Sequence, residues 1–269
     1  FGVQTYFLSK SFGYLIRIAF YSFNNTILDN DVFMVFFLSM NIIDWSAFAF
    51  SLILQVFLFS RGHSFNKLFI NFSAMIVYFG LSLFLIIIVY EHYNDVLQSF
   101  KDLLTFENIF SKDNIVPTIT VAGTIFAYFS IIIVNYGDFS RYVKDKKELN
   151  KGNLSLILNL IIFSLFSVLI VIGTDIILNK NLENVDQILT NPTDIIGKFD
   201  NVFLTIAVLF FILFSSLSTN LIANYVPSQN SLLNFLPNNL TLKSTGVIIA
   251  LIAFPIGIFW MPLLSQIGI

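Results

Sequence analysis

Seven apolar stretches, each about as long as a bilayer is thick, dominate this chain of 269 residues. A transmembrane helix needs roughly 20 consecutive, mostly apolar residues. Hydrophobic residues make up 57% of the chain and charged residues only 11%, which excludes an ordinary soluble domain. We predict an all-α integral membrane protein with about seven transmembrane helices, forming a single transmembrane domain over residues 1–269. The stretches lie at about 2–23, 32–60, 68–90, 116–136, 154–178, 202–226 and 245–267.

Both ends of the chain lie in or beside apolar stretches. Phe1 stands inside the first stretch with no charged segment or cleavage site before it, and Ile269 follows the last one closely. We therefore expect the chain to be a fragment of a longer protein, with transmembrane helices missing at both ends.

The basic residues of the loops predict an orientation. Lys and Arg favour cytoplasmic loops, and one of the two alternating sets of loops is clearly the more basic. We therefore expect the first helix to run from inside to outside across the cell membrane. The two long outer connections, 91–115 and 179–201, carry amphipathic segments such as 96–104, which predict short surface helices. The basic set contains Arg61, Lys67, Arg141, Lys144, Lys146, Lys147, Lys151 and Lys243.

Polar residues cluster at the end of the apolar stretch within 203–230. At 100° per residue, one helix face carries Ser215, Ser218 and Thr219. A neighbouring face carries Ser216, Asn220 and Asn224. The hydroxyl face could coordinate Na⁺ and the amide face could hydrogen-bond a polar solute. Equally, both faces could join this helix to its neighbours, because Ser, Thr and Asn commonly link transmembrane helices.

A second segment, 117–144, alternates small residues with aromatic ones, among them Phe129. Such a stretch could unwind and present a ring to a solute, or could simply pack closely against another helix. Asp138 and Arg141 are spaced i,i+3 at its cytoplasmic end, so we expect them to pair.

Few ionisable residues fall inside the apolar stretches. Asp44 lies near the middle of the second one, where it is either part of a proton relay or a helix–helix hydrogen bond. Arg17 in the first could extend outward to the headgroup region. We expect Pro227 to end its helix and Pro255 to kink the last one.

The order and wording of these motifs resemble the nucleobase:cation symporter family, whose members are permeases for cytosine, purines, uracil, allantoin, hydantoin and thiamine. Residues 135–142, Asn-Tyr-Gly-Asp-Phe-Ser-Arg-Tyr, resemble the N-x-x-D-F-S-R-Y signature after the sixth helix of the family. Residues 218–228, Ser-Thr-Asn-Leu-Ile-Ala-Asn-Tyr-Val-Pro-Ser, resemble the run in its eighth. The opening Phe-Gly-Val-Gln resembles part of its third helix, so the chain would cover about helices three to nine.

The resemblance implies a fold of two inverted five-helix repeats, with solute and cation held near the midplane. It implies that Gln4 and Asn224 hydrogen-bond the amide-like edge of a heterocycle and that Phe129 stacks on it, where many members have tryptophan. It further implies that Ser218 and Thr219 give side-chain oxygens, and Ser215 its backbone carbonyl, to Na⁺. The remaining cation ligands would come from the family's first helix.

We therefore expect a secondary active transporter that carries a nucleobase-like ring by alternating access, driven by Na⁺ or H⁺. Transport of another small polar solute on the same fold is the main alternative, and a seven-pass receptor or a channel ranks lower. No paired metal ligands or HExxH spacing indicates an enzyme, and we expect no cofactor. The expected partners are the solute, the coupling cation and the lipid bilayer, with no nucleic acid. We expect a monomer.

Overall fold

The computed structural model describes residues 1–23, 26–103, 114–141, 143–179 and 202–267. The described residues are overwhelmingly helical, so the predicted all-α class is confirmed. In chain order the helices are α1 (Gly2–Phe23), α2 (Asp31–Met34), α3 (Ile42–Phe59), α4 (His63–Leu103), α5 (Ile115–Val134), α6 (Tyr136–Ser140), α7 (Lys146–Asn179), α8 (Val202–Thr219), α9 (Val226–Phe235) and α10 (Leu242–Ile267). A π-helical segment, Asn220–Tyr225, connects α8 to α9.

Six described helical stretches are long and apolar enough to span a membrane. The predicted stretch at 2–23 forms α1, which is not among the six. Its 22 residues would extend about 33 Å at 1.5 Å per residue, enough to cross a bilayer. It is less apolar because it carries Lys10 and Arg17 beside several hydroxyl side chains.

The predicted span at 32–60 divides into two helices. Residues 35–41 are not helical, and α3 begins only at Ile42. Asn41 caps this helix: its side chain accepts from the backbone N–H of Asp44, whose carboxylate accepts from the N–H of Asn41. This reciprocal capping box satisfies backbone donors at the helix start. Asp44 therefore lies in the first turn of α3, and its predicted position near the middle of a span is wrong.

Pro227 does not end its helix, which corrects the sequence prediction. The helix continues from α8 through the π-helical segment into α9 and ends at Phe235. In the π-helical segment, hydrogen bonds span five residues, as from the Val226 N–H to the Leu221 carbonyl. Pro227 then lies in the first turn of α9, where a missing backbone N–H is tolerated.

The chain forms two compact units: Phe1–Val77 with Asn201–Ile269, and Tyr78–Asp200. In the first unit, α1 packs against α3, α8 and α10. The core there is aliphatic and aromatic, and much of it comes from α8 and the π-helical segment, whose residues at spacings of four line one buried face. One buried cluster of this core consists of Leu8, Phe59, Leu213, Leu217, Leu221, Tyr225 and Ile249, and a second of Tyr6, Met40, Phe48 and Ile258.

Two glycines bring α1 and α10 into direct backbone contact. A Cβ atom at Gly2 would overlap the backbone of Ala253, and one at Gly257 would lie 2.6 Å from Cζ of Phe48 and 2.8 Å from the Gly2 carbonyl oxygen. Small residues at helix interfaces permit such approach in membranes, where packing rather than water exclusion drives association.

In the second unit, the later part of α4 packs on α7 through Val96 and Ile170. His92 breaks the regular helix with φ −131° and ψ 33°. The predicted surface helix at 96–104 is the end of α4 as far as Leu103, and the rest of both outer connections lies largely outside the described residues. The predicted pair is confirmed, with Nη2 of Arg141 2.8 Å from Oδ1 of Asp138.

Candidate functional site

Three polar side chains from separate elements meet in the core of the first unit. Thr5 of α1, Gln55 of α3 and Asn220 of the π-helical segment are each 0% exposed. Nδ2 of Asn220 donates to Oε1 of Gln55 at 2.5 Å and to Oγ1 of Thr5 at 3.2 Å. Nε2 of Gln55 also donates to Oγ1 of Thr5, at 3.0 Å. Buried polar groups are costly unless they are hydrogen-bonded, and here each group satisfies the others.

Asn224 joins this network from its edge. Its Nδ2 donates to Oδ1 of Asn220 at 2.8 Å, and its side chain is only half-buried. The two asparagines lie one turn apart on the π-helical segment, which keeps them on the same face of the helix. Single-turn π-helical segments occur frequently at functional sites. The amide of Asn224 is thus held on one side and open on the other.

Gln4 lies beside the same network. It precedes Thr5 on α1, is half-buried, and its side chain forms no hydrogen bond within the described part of the chain. Gln4 is therefore one residue, and Asn224 one hydrogen bond, from the buried Thr5–Gln55–Asn220 group. The structure joins two of the four predicted solute ligands, Asn220 and Asn224, by a hydrogen bond, and Gln4 is next to Thr5 along α1.

Phe129 lies on α5, in the second unit, and is half-buried. Each unit is described by itself, so the predicted stacking of Phe129 on a solute stays a prediction.

The predicted cation ligands lie on a different face of α8. Leu209, Leu213 and Leu217 line the buried face of this helix, whereas Ser215, Ser218 and Thr219 are half-buried. Oγ of Ser218 donates to the backbone oxygen of Ser215 at 3.0 Å, which places two of the proposed oxygen ligands side by side. The Thr219 hydroxyl forms no hydrogen bond to any described residue, so it is available to a cation.

An ion pair joins α1 to the start of α3, about three helical turns after Thr5. Nη2 of Arg17 is 2.8 Å from Oδ1 of Asp44, and the two side chains are 30% and 26% exposed. Nη2 of Arg17 also lies 3.3 Å from Oδ1 of Asn41. Arg17 thus binds the start of α3, and its predicted extension toward the headgroup region stays a prediction. Of the two interpretations of Asp44, the structure shows the helix–helix contact.

The pair lines a polar cavity of about 390 Å³ within the first unit. Lys10 also faces the cavity and has its ammonium 5.3 Å from the centroid of the Tyr6 ring. A cation over an aromatic face is stabilised by the ring quadrupole. The other lining residues are Ser9, Tyr14, Ser39 and Met40.

Sequence reasoning missed Thr5 and Gln55. Gln55 is the single amide in the apolar run of α3, Ala47–Phe59, and such an isolated amide in a transmembrane helix indicates a polar partner on another helix. That signal was available. Thr5 gave none, because isolated hydroxyls are common in membrane helices and bond to their own backbone, as Thr5 does to the Phe1 carbonyl at 2.9 Å.

A family described as permeases for cytosine/purines, uracil, thiamine and allantoin matches residues 1–266. The purine-uracil permease NCS1 of Arabidopsis thaliana is 25% identical over 115 residues, which cover 43% of this chain and 18% of that protein. The aligned part is thus less than a fifth of that permease's length. No solved structure matches.

The family match spans nearly the whole chain, and the six membrane-spanning stretches agree with a permease. The predicted family is confirmed: this chain belongs to the family of permeases for cytosine/purines, uracil, thiamine and allantoin.

Proposed function

We propose that this chain carries the solute-binding part of a secondary active transporter, which moves a nucleobase-like heterocycle across the cell membrane by alternating access. One observation carries the proposal. The half-buried amide of Asn224 is held on one side by a fully buried hydrogen-bond network of Thr5, Gln55 and Asn220, which come from three separate elements. Polar groups at membrane depth that are held in place and still partly open indicate a solute pathway.

The chemistry of the open groups fits a heterocyclic amide. Gln4 and Asn224 both bear carboxamides, which can donate and accept at once. Pyrimidines, purines, hydantoin and allantoin carry adjacent hydrogen-bond donors and acceptors along their edges, so two amides can pair with such an edge. A cationic or carboxylate solute would require opposite charges, which neither residue supplies.

Cation coupling rests on the hydroxyl face of α8. The Ser215 carbonyl and the Ser218 hydroxyl oxygen lie 3.0 Å apart. Two neutral oxygens at this separation can share one alkali cation, with Thr219 as a third donor, because carbonyl and hydroxyl dipoles replace part of the hydration shell. We propose Na⁺ as the coupling ion. The hydroxyl face that would bind Na⁺ adjoins the amide face that would bind the solute, so ion and solute would be bound by neighbouring faces of one continuous helix.

The test uses the full-length protein in cells that lack nucleobase carriers of their own. Uptake of labelled uracil, cytosine, adenine, hypoxanthine, allantoin and hydantoin is measured. We expect transport of at least one ring, and we expect Asn224→Ala to lower it at least about tenfold, the effect of losing a buried hydrogen bond to the solute.

The matched control is Asn234→Ala, an exposed asparagine on α9. It should leave uptake unchanged, and surface expression of both variants should equal that of the wild type. If Asn224→Ala takes up every ring at the wild-type rate, Asn224 does not belong to the binding site. A well-expressed wild type that transports none of the rings would contradict the proposed solute class.

A further inference from the structure

Two backbone carbonyl oxygens, of Ser51 and Phe1, fix the direction of the hydrogen bonds around Asn220, and the Phe1 oxygen also accepts from Nδ2 of Asn220 itself, at 3.4 Å. Nε2 of Gln55 donates to the Ser51 carbonyl oxygen at 3.1 Å, one turn earlier on α3. The Thr5 hydroxyl donates to the Phe1 carbonyl oxygen at 2.9 Å. A carbonyl oxygen can only accept. The nitrogen of Gln55 must therefore face Ser51, and the hydrogen of Thr5 must face Phe1.

This direction propagates along the amides. The nitrogen of Gln55 is turned to Ser51 and Thr5, so its oxygen faces Asn220. Asn220 must therefore donate to that oxygen with its side-chain nitrogen. The oxygen of Asn220 then faces Asn224 and accepts from Nδ2 of that residue. Reversing any one amide would bring two oxygens or two NH₂ groups together in a site from which solvent is excluded, and such mismatches are costly.

The last amide of the series consequently has a defined orientation. The nitrogen of Asn224 is turned to Asn220, and its oxygen has no hydrogen-bond partner among the described residues. We propose that Gln55 is a positioning residue that, through Asn220, holds Asn224 with its carbonyl oxygen toward the solute, so that the transported ring must offer an N–H at that point. This inference rests on the proposed function and adds a specificity rule to it.

A role for Gln55 in helix packing alone would have a different result. Loss of packing lowers the amount or stability of the protein and affects all solutes alike. Loss of Gln55 removes the shortest of the three hydrogen bonds that Nδ2 of Asn220 donates, to Gln55, Thr5 and the Phe1 carbonyl. The amides of Asn220 and Asn224 then turn over more readily, so that an acceptor on the ring becomes tolerated where a donor was required. Selectivity between a donor and an acceptor therefore separates the two roles.

The experiment compares rings that differ only in this respect. Labelled uracil is the probe, and 1-oxauracil and 3-oxauracil, in which one ring N–H is replaced by an oxygen of similar size, are the competitors. Where the wild type prefers another ring, that ring and its analogues with N–H replaced by O take their place. For one analogue we expect the wild type to bind at least about tenfold more weakly than the parent ring. In Gln55→Leu this ratio should fall to about threefold or less.

Gln229→Leu is the matched control. Gln229 is also a buried glutamine, and its Nε2 donates to Tyr225, to the Leu242 carbonyl and to Thr245, outside the Asn220 series. Its replacement should lower the melting temperature in detergent as Gln55→Leu does, while the wild-type ratio is kept. An unchanged ratio in Gln55→Leu would overturn the inference, and so would an equal fall of the ratio in Gln229→Leu.

A second measurement does not depend on transport. In detergent, the effects of Gln55→Leu and Asn220→Leu on the melting temperature should be non-additive. The fall in the double variant should be smaller, by about 2 °C or more, than the sum of the falls in the two single variants. Additive shifts would overturn the hydrogen-bonded series itself. If the wild type binds none of the rings while the shifts are non-additive, the solute class of the proposed function fails and the hydrogen-bonded coupling of Gln55 to Asn220 stands.

Discussion

Arg17 on α1 forms an ion pair with Asp44 in the first turn of α3, with 2.8 Å between Nη2 and Oδ1. Asp44 also completes the capping box with Asn41. One carboxylate thus fixes the start of α3 and joins it to α1. Removing it leaves the partly buried guanidinium of Arg17 without its carboxylate, which is a larger loss than that of an exposed pair.

We expect Asp44→Ala to lower the free energy of unfolding by about 2 kcal/mol, combining the lost cap with the lost ion pair. Glu148→Ala breaks a pair between exposed side chains, Glu148 and Lys151. It should change the free energy of unfolding by less than about 0.5 kcal/mol. Thermal unfolding of the purified protein in detergent compares the two. Equal losses would contradict a structural role for the Arg17–Asp44 pair.

Thr219 tests the proposed cation site. In the full-length protein we expect Thr219→Ala to raise the Na⁺ concentration for half-maximal uptake about tenfold, since one oxygen donor is lost. Ser231→Ala removes an exposed hydroxyl of α9 and should leave that concentration unchanged. Wild-type uptake should collapse when choline replaces Na⁺. If a proton ionophore stops uptake while choline does not, the coupling ion is H⁺ and this site assignment is wrong.

Gly257 tests the close approach of α1 and α10. A methyl group there would lie 2.6 Å from Cζ of the buried Phe48 ring. Gly257→Ala should therefore destabilise the protein by about 1–3 kcal/mol, the usual effect of overpacking. Gly152→Ala, on α7, adds a methyl group that meets no atom within 4 Å and should be neutral or slightly stabilising through helix propensity. Melting temperatures of the two variants should differ in this direction, and a neutral Gly257→Ala would contradict the packing.

Pro227 tests the continuity of the polar helix. Because it lies in the first turn of α9 after the π-helical segment, Pro227→Ala should change the free energy of unfolding by less than about 1 kcal/mol. Ile212→Pro, in the regular part of α8, should cost about 3 kcal/mol or more. Circular dichroism melts of both variants provide the comparison. Severe unfolding of Pro227→Ala would indicate that proline stabilises this turn.

The sequence predicted the spans well because crossing a bilayer requires length and apolarity, and both are local properties of the chain. It also separated the hydroxyl face of α8 from its amide face, since helical periodicity alone determines which side chains share a face. The start of α3 was missed because the apolar residues 32–43 conceal the break, although Asn41 and Asp44 have the spacing of a capping box.

The buried partners of Asn220 could not be predicted in the same way. Thr5 and Gln55 are separated from Asn220 by 215 and 165 residues, so only the packing of three helices shows that they meet. The π-helical segment is equally hidden, because one extra residue in a turn leaves the hydrophobic pattern nearly unchanged. The buried partners of Asn220 and the π-helical segment both affect the orientation of the Asn224 amide, although neither can be recognised in the motif at 218–228.

At the contact between Gly2 and Ala253 no side chain separates the backbones of α1 and α10. An interface made of side chains can adjust by changing rotamers, whereas two touching backbones have no such freedom. Sliding or rolling α1 against α10 would at once produce steric overlap. The two helices should therefore move together as a rigid body during a transport cycle. Opening and closing should then be carried out by other helices of the protein.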